Sequence, residues 1–382
     1  MVRYSGITGW GKYVPERVLT NQDLEKMVET SDEWILARTG IRERRIAGPD
    51  EAVSTMSVAA SRDALAVAGL DPRDLDLIIT ATSTPDYLTP PVSSMIQDML
   101  EAPRAAAFDL GAGCTGFVYA LATAHQFVAT GTYDNVLVIG AEIISRFVDW
   151  EDRATCILFG DGAGAVVVQA SDTPTGVLSF DLGSKGSEYD ALIVPAGGSR
   201  NPPSQEALDK GMHYIKMDGR RVFKFATKTP AEAAVRAVED SGLSMDDIAL
   251  VIPHQANLRI IQCLAKFLEM PLEKVYVNLD RYGNTSTASI PIALCEALEE
   301  GRVKEGDNIL LLGFGAGLTW AAAVVKVGVP QAVSWPISWP LASLRDRSFS
   351  SVRSLARSAV GVLSVIVGAL LLPLYSSTDK RD

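Results

Sequence analysis

Cysteine and histidine are scarce in this chain, four and three residues in 382, so the setting of each can be weighed singly. Cys114 lies in the stretch Phe108-Asp109-Leu110-Gly111-Ala112-Gly113-Cys114-Thr115-Gly116-Phe117. The apolar run before it, residues 105–110, reads as the end of a buried strand. After it, Val118, Leu121, Ala122 and Phe127 recur at helical spacing, so a helix is expected to start near Cys114. At such a turn, unpaired backbone N–H groups and the helix dipole favour negative charge, which would raise the thiolate fraction of the cysteine. A free cysteine is more often a small core residue. Glycines at 111, 113 and 116 move the reading toward chemistry, because they let a substrate and the backbone come close to the sulfur.

Of the histidines, His254 ends an apolar run at 250–253 and precedes a helix expected from about Asn257. That is the sheet edge where parallel α/β proteins place their sites. His125 follows Cys114 on the same helix but ~16 Å along its axis, out of reach of the thiol. His213 sits in a polar segment with no partner that the sequence identifies. Asn284, in Tyr282-Gly283-Asn284-Thr285-Ser286, precedes a second apolar helix. Taken singly, a satisfied core histidine and a helix-capping asparagine are the ordinary explanations.

The elements that must position these residues alternate. A helix is expected over 56–68, a strand over 75–81, a helix over 92–100, a strand to 110, a helix from 114 and a strand over 136–139. This βαβ rhythm predicts a largely parallel sheet covered by helices on both faces. Earlier, a strand and hairpin are expected around 7–14, and a helix with Asn21 as its N-cap. The second half repeats the first. Ala68-Gly69-Leu70 and the run from Asp74 return as Ser241-Gly242-Leu243 and the run from Asp247. Tyr133-Asp134-Asn135 and its apolar run return as Gly306-Asp307-Asn308 and its own. Both pairs are offset by 173 residues, as expected of a duplicated unit. The offset sets the Cys114 helix opposite 284–297 and His254 opposite Ala81, so a pseudo-twofold axis would bring the two helix starts together. Three polar residues at matched element ends of a duplicated fold argue for a site. The expected organisation is an N-terminal half over 1–172, a C-terminal half over 173–328, and a further segment over 329–382.

The bulk numbers agree with a packed α/β protein: 47% hydrophobic and 21% charged residues. A net charge of −11 argues against general nucleic-acid binding, which needs a basic face. Cys114, Cys156, Cys263 and Cys295 show neither a C-x-x-C pair nor zinc spacing, so reduced thiols and no metal are expected. Residues 1–13 are too polar for a signal peptide. The alternating glycines of Phe159-Gly160-Asp161-Gly162-Ala163-Gly164-Ala165 fit no nucleotide loop and read as a tight turn between two buried strands. Residues 183–211 read as a surface excursion. Arg38, Arg42, Arg44 and Arg45 follow Trp34 closely; a solvated loop and a site for an anionic, stackable ligand both remain open.

Together, residues 109–115, 159–165, 253–259, 282–285 and 314–320 resemble β-ketoacyl-acyl carrier protein synthase III. Residues 30–34 with 38–44 resemble the coenzyme A-binding region of that family. The resemblance runs from about residue 3 to about 328 and implies a thiolase-like, duplicated five-layered αβαβα fold, usually a homodimer. It implies an initiating condensing enzyme of fatty acid synthesis that joins an acyl-CoA primer to malonyl-acyl carrier protein. No cofactor is implied beyond the coenzyme A thioester as substrate. By the resemblance Cys114 takes the acyl group, and the backbone N–H groups of Cys114 and Ala316 form the oxyanion hole, with alanine where the family usually has glycine. His254 and Asn284 would bind the malonyl thioester, and Trp34, Arg38 and Arg153 the coenzyme A. Lys224, Arg259 and Lys266 would meet the acidic carrier protein. Thr89 would lie at the acyl pocket, where the family often has phenylalanine, leaving room for longer primers. Two other readings are weighed. One is a diverted thiolase-like acyltransferase making a polyketide or quinolone starter. The other is a cysteine hydrolase with the papain order Cys, His, Asn, which lacks the local papain pattern and has no place for the repeat.

Past residue 328 the chain departs from that family. Residues 329–382 carry six basic and three acidic side chains. Arg345, Arg347, Arg353 and Arg357 lead to an uncharged run at 358–375. As a helix that run would extend ~27 Å, enough for a thin hydrocarbon core. With arginines on its near side it reads as a membrane anchor holding a cytoplasmic body; an apolar helix packed on the enzyme is the alternative.

Overall fold

A computed structural model describes residues 3–328; the run at 358–375 and the rest of 329–382 lie outside the described residues. Nine strands form one continuous sheet: β1 (Tyr4–Tyr13), β2 (Leu77–Ala81), β3 (Ala106–Leu110), β4 (Asn135–Glu142), β5 (Gly162–Ser171), β6 (Gly176–Ser184), β7 (Ile248–Pro253), β8 (Asn308–Gly315) and β9 (Thr319–Lys326). Their order is β7-β8-β9-β6-β1-β5-β4-β2-β3. β1 and β6 meet parallel at the centre through Ser5 and Gly176. On either side the pattern repeats: an antiparallel pair of neighbours, β1/β5/β4 or β6/β9/β8, then parallel pairing outward. The fifth strand of the second half is reduced to a single parallel bridge between Val251 and Val275.

The 173-residue offset reappears element by element. Helix α4 (Gly116–Ala129) answers α8 (Ser289–Glu299), both starting one residue after a short 3-10 turn, Gly113–Thr115 and Ser286–Ala288. β4 answers β8 at both ends.

Alternation along the strands explains the layers. Leu77, Ile79, Val136 and Val138 join Leu250, Ile252, Ile309 and Leu311 in a central core around Phe117, Leu121, Ile290 and Leu294 of α4 and α8. The intervening residues face outward. Ile78, Leu137 and Ile139 pack under α2 (Val53–Ala68) and α3 (Val92–Met99). Val251, Leu310 and Leu312 pack under α6 (Thr229–Asp240) and α7 (Leu258–Phe267). The result is helix, sheet, paired helices, sheet, helix: the five-layered arrangement. Two more helices of eight residues are α1 (Asp32–Thr39) and α5 (Gly219–Ala226); the rest among the described residues are shorter.

Three local expectations change. The strand at the N-terminus makes no hairpin; it is the central strand β1, paired with β5 from 150 residues on, because its small residues sit under α2. Thr20, not Asn21, caps the short helix Asn21–Leu24, through a capping box with Asp23. Residues 159–165 do not turn between two strands. They enter β5 after the one-turn helix Arg153–Cys156, and Asp161 is held there by the N–H groups of Ala47 and Ser145 and by the Ser145 hydroxyl. Residues 183–211 carry short elements of their own, including a two-residue ribbon, Leu192–Ile193 with Lys216–Met217. Among the described residues no helix is long and apolar enough to cross a membrane.

Candidate active site

Cys114 stands in the 3-10 turn before α4, buried, on a backbone that Gly113 opens by taking φ +56. The end of β8 presses directly against it. A Cβ on Gly315 would lie 2.6 Å from the Cys114 backbone nitrogen, and one on Gly113 would lie 3.0 Å from that of Ala316. Only glycine permits this approach. The two loops are tied by hydroxyls: Thr115 donates to the Ala112 carbonyl at 2.6 Å, Thr319 donates to that of Ala316 at 3.0 Å, and the two oxygens lie 3.0 Å apart. The backbone N–H groups of Cys114 and Ala316 both bear on the sulfur. Gly111, by contrast, has open space around it, so of the three glycines near the cysteine only 113 and 116 serve close approach.

The other half contributes through one turn, residues 284–289. The Asn284 backbone is clamped by Leu158 and Gly160 in a parallel bridge, its N–H on the Leu158 carbonyl and its carbonyl accepting from Gly160. The Ser286 N–H holds Asn284 Oδ1 at 2.8 Å, which leaves the Nδ2 donors for another partner. The Ser286 hydroxyl touches Cys114 Sγ at 3.4 Å. Thr287 Oγ1 accepts from the Phe117 N–H at 2.9 Å, joining the starts of α4 and α8 as the duplication predicts. Ser289, the first residue of α8, reaches His254 Nδ1 at 2.6 Å. Cysteine, histidine and asparagine are thus assembled by a single six-residue turn.

His254 follows β7, its N–H on the Leu312 carbonyl and its ring edge-on to Phe314 at 5.0 Å between centroids. Ser289 Oγ also faces the Gln255 N–H at 3.4 Å. With the hydroxyl donating to Nδ1, the network assigns the neutral ring's proton to Nε2. Burial drives the imidazole pKa down to about 3, so it is uncharged at any ordinary pH.

Burial also overturns the expectation of a ready thiolate. It pushes the Cys114 thiol up to about 11, against the lowering effect of the Ser286 hydroxyl and the two backbone N–H groups; the nearby Glu142 carboxylate raises it further. Desolvation outweighs the helix terminus, because among the described residues no cation stands beside the sulfur to offset it. Glu142, at the end of β4, is itself fully buried and raised to about 7 by desolvation.

The expected nucleotide region gathers at the surface. Trp34 of α1 lies under the Arg153 guanidinium at 4.8 Å and beside that of Arg38 at 5.5 Å. The arginine run splits: Arg38 and Arg42 are exposed, whereas Arg44 is fully buried on the Leu19 and Ile157 carbonyls and Asn21. Arg44 is therefore a structural residue, neither solvated nor ligand-facing. Asn257 Nδ2 donates to the Arg38 carbonyl at 3.0 Å, so α1 abuts the start of α7. Lys224 of α5 and Arg259 and Lys266 of α7 are exposed, and none is in a salt bridge among the described residues. Thr89 is exposed, whereas Cys114 is buried. Thr89 lies on an exposed loop beside Tyr87 and Leu88, the latter 87% exposed. His125 bonds Ser5 and His213 stacks on Tyr214; neither joins the site.

Sequence reading missed Ser286, Ser289, Glu142 and the Leu158–Gly160 clamp. Only Glu142 carried a signal, as an acid ending an otherwise apolar strand.

A duplicated five-layered α/β fold with a buried cysteine joined through one turn to a histidine and an asparagine defines a thiolase-like acyltransferase of the condensing type. The chain belongs to the 3-oxoacyl-[acyl-carrier-protein] synthase III family: models of that family match residues 108–186 and, for its C-terminal part, 238–327. A β-ketoacyl-[acyl-carrier-protein] synthase III of Roseiflexus castenholzii is 57% identical over 326 residues, 85% of this chain and 99% of the relative. The crystal structure of the Aquifex aeolicus synthase III is 48% identical with a TM-score of 0.79, covering 84% of this chain and 99% of that one. A priming β-ketosynthase from a polyketide pathway is 39% identical with a TM-score of 0.80, covering 86% and 98%.

Proposed function

We propose that this chain starts acyl chains: Cys114 takes an acyl group from coenzyme A and passes it to the enolate left when malonyl-acyl carrier protein loses CO2, giving 3-oxoacyl-acyl carrier protein. The convergence of Cys114, His254 and Asn284 on residues 284–289 carries the proposal. In the first step the thiol adds to the thioester carbonyl. The backbone N–H groups of Cys114 and Ala316 stabilise the charge that develops on oxygen, and CoA leaves. In the second, the Nε2–H of His254 and the Nδ2–H of Asn284 donate to the malonyl thioester oxygen as carboxylate is lost. The carbanion then attacks the acyl-cysteine, and the same oxyanion hole serves the collapse. An uncharged imidazole suits this role, since it donates without holding a proton that the carbanion would take.

Trp34, Arg38 and Arg153 form the coenzyme A platform, an indole face with two guanidinium groups to meet phosphates. Lys224, Arg259 and Lys266 are the contact for the acidic carrier protein. Two copies associate, as the exposed Tyr87 and Leu88 beside Thr89 suggest: an apolar loop tip in a water-facing chain calls for a cover. In that dimer Thr89 serves an acyl pocket that its own chain does not complete. The body works on the cytoplasmic side, with membrane contact through residues 358–375; cell fractionation with carbonate washing, with and without residues 341–382, tests this.

Intact-mass measurement tests the chemistry. Wild-type protein mixed with acetyl-CoA gains one acyl group, and adding malonyl-carrier protein discharges it with C–C bond formation. Cys114→Ala gains none, while His254→Ala and Asn284→Asp acylate but do not decarboxylate. An acyl group found on Cys114→Ala refutes the assignment. The likeness to a polyketide priming ketosynthase supports a second reading in which the same chemistry feeds another carrier; the mass of the acceptor product separates the two.

A further inference from the structure

Glu142 is a buried carboxylate that the chemistry above leaves unused. It accepts from the Ser83 N–H at 3.0 Å, the Thr84 hydroxyl at 2.5 Å and the Ser286 hydroxyl at 3.2 Å, with Thr82 Oγ1 at 3.5 Å. The groups facing it are the hydroxyls of Thr82, Ser83, Thr84 and Ser286 and the Ser83 amide, together with the Cys114 thiol. It is in no salt bridge among the described residues. A carboxylate taken out of water without a cation is costly, and a structural need at this position would be met by a neutral amide.

Three of its partners come from the segment after β2. The fourth, Ser286, comes from the other half of the fold, and it alone also touches the nucleophile, at 3.4 Å from Sγ. Ser286 holds φ +51, a left-handed conformation that glycine or asparagine adopts at less cost. A serine kept in a strained backbone points to use of its hydroxyl.

We propose that Ser286 and Glu142 form the route by which Cys114 loses its proton when it attacks a thioester. One hydroxyl proton cannot serve both neighbours at once. In the resting state the S–H therefore donates to Ser286 Oγ, and the Ser286 O–H donates to the Glu142 carboxylate. As sulfur bonds to the thioester carbon, the S–H bond breaks and a new O–H bond forms on Ser286. The hydroxyl's original proton moves to Glu142 Oε1, and the negative charge passes from the carboxylate to the carbonyl oxygen in the oxyanion hole. When CoA leaves, the proton on Glu142 returns through Ser286 to the departing sulfur, so the half-reaction neither takes up nor releases a proton. Ser286 contacts the reacting atom; Glu142 acts through it. The route removes a difficulty set by burial, which leaves almost no thiolate at neutral pH, and the raised Glu142 carboxyl is well matched to receive a proton there.

The inference rests on Cys114 being the acylated nucleophile, and the test separates the two. Acylation by acetyl-CoA is followed by intact mass, and alkylation of Cys114 by iodoacetamide is followed against pH, in wild type, Glu142→Gln and Ser286→Gly; glycine relieves the strain while removing the hydroxyl. Wild-type alkylation should rise through a step near neutrality and level off. Both variants should lose the step, climb tenfold per pH unit, and acylate roughly 100-fold more slowly at pH 7. A variant that merely packs badly would keep the step. Retention of the step in both variants, or acylation within threefold of wild type, overturns the proton route while leaving the nucleophile intact. No acylation of wild-type Cys114 overturns the reading beneath it.

Discussion

Replacing Gly315 by alanine tests whether the oxyanion hole depends on the close approach of two backbones. The new Cβ would sit 2.6 Å from the Cys114 nitrogen and 3.0 and 3.1 Å from its Cβ and Cα. Ordinary contact lies near 3.5 Å, so the loops must part by roughly 0.9 Å. Gly315 is held by its pairing with Thr319 of β9, so the movement falls on residues 112–116. Oxyanion donors work over a window of about 2.7–3.1 Å, and a displacement of that size takes one of them out of range. Loss of one donor costs about 2.7–4 kcal/mol, a 100- to 1,000-fold fall in the acyl-transfer rate. Single-turnover acylation by acetyl-CoA, read by intact mass, measures it. Alkylation by iodoacetamide is the control, since it passes through no tetrahedral oxyanion and should change little. Acylation within threefold of wild type would refute the argument. So would an equal loss in both reactions, which would mean that the sulfur, not the hole, had moved.

Other outcomes follow from single contacts. Trp34→Ala should raise KM for acyl-CoA about tenfold with kcat and the KM for malonyl-carrier protein unchanged, because the stacked indole binds ground and transition states alike; steady-state kinetics in both substrates checks this. Thr287→Val leaves the buried Phe117 N–H without its acceptor and should cost about 1–3 kcal/mol in urea unfolding. Glu142→Gln should gain stability relative to wild type as pH rises. The folded carboxyl titrates near 7 rather than 4.5, so wild type binds extra protons between those values and loses up to about 3 kcal/mol across them, which glutamine does not. Urea melts at pH 5 and 8 decide it, and an unchanged difference would contradict the burial argument.

Much of the fold was legible because its signals are periodic. The 173-residue offset reappears at both ends of β4 and β8 and in the 3-10 turns before α4 and α8, since a duplicated unit must keep its spacing to keep its packing. Cys114, His254 and Asn284 were legible as polar residues at the ends of apolar elements. What stayed hidden lies in contacts across the halves. Nothing in the string Asn284-Thr285-Ser286 says that its serine meets a sulfur 172 residues away. For Arg44 the sequence leaves a solvated charge and a ligand-binding one equally open, and its carbonyl partners at Leu19 and Ile157 make it neither. The ready thiolate failed for a related reason: a helix start is visible in sequence, but the desolvation that opposes it belongs to the assembled core.

That same desolvation decides between two chemistries that share the order cysteine, histidine, asparagine. A papain-like hydrolase stores a thiolate beside an imidazolium, so its cysteine must titrate low and its histidine must hold a proton at neutral pH. Here both groups are displaced the other way, the thiol up to about 11 and the imidazole down to about 3. His254 is bonded at Nδ1 to a serine hydroxyl, not to a carboxylate that would favour its charged form. Neither half of the ion pair exists in the resting site. A neutral imidazole and a carboxamide instead offer two N–H donors with no acidic proton, which is what an enolate oxygen requires and what a hydrolytic base cannot be. Burial of His254, more than its place in the sequence, is therefore what supports the decarboxylating role proposed for it.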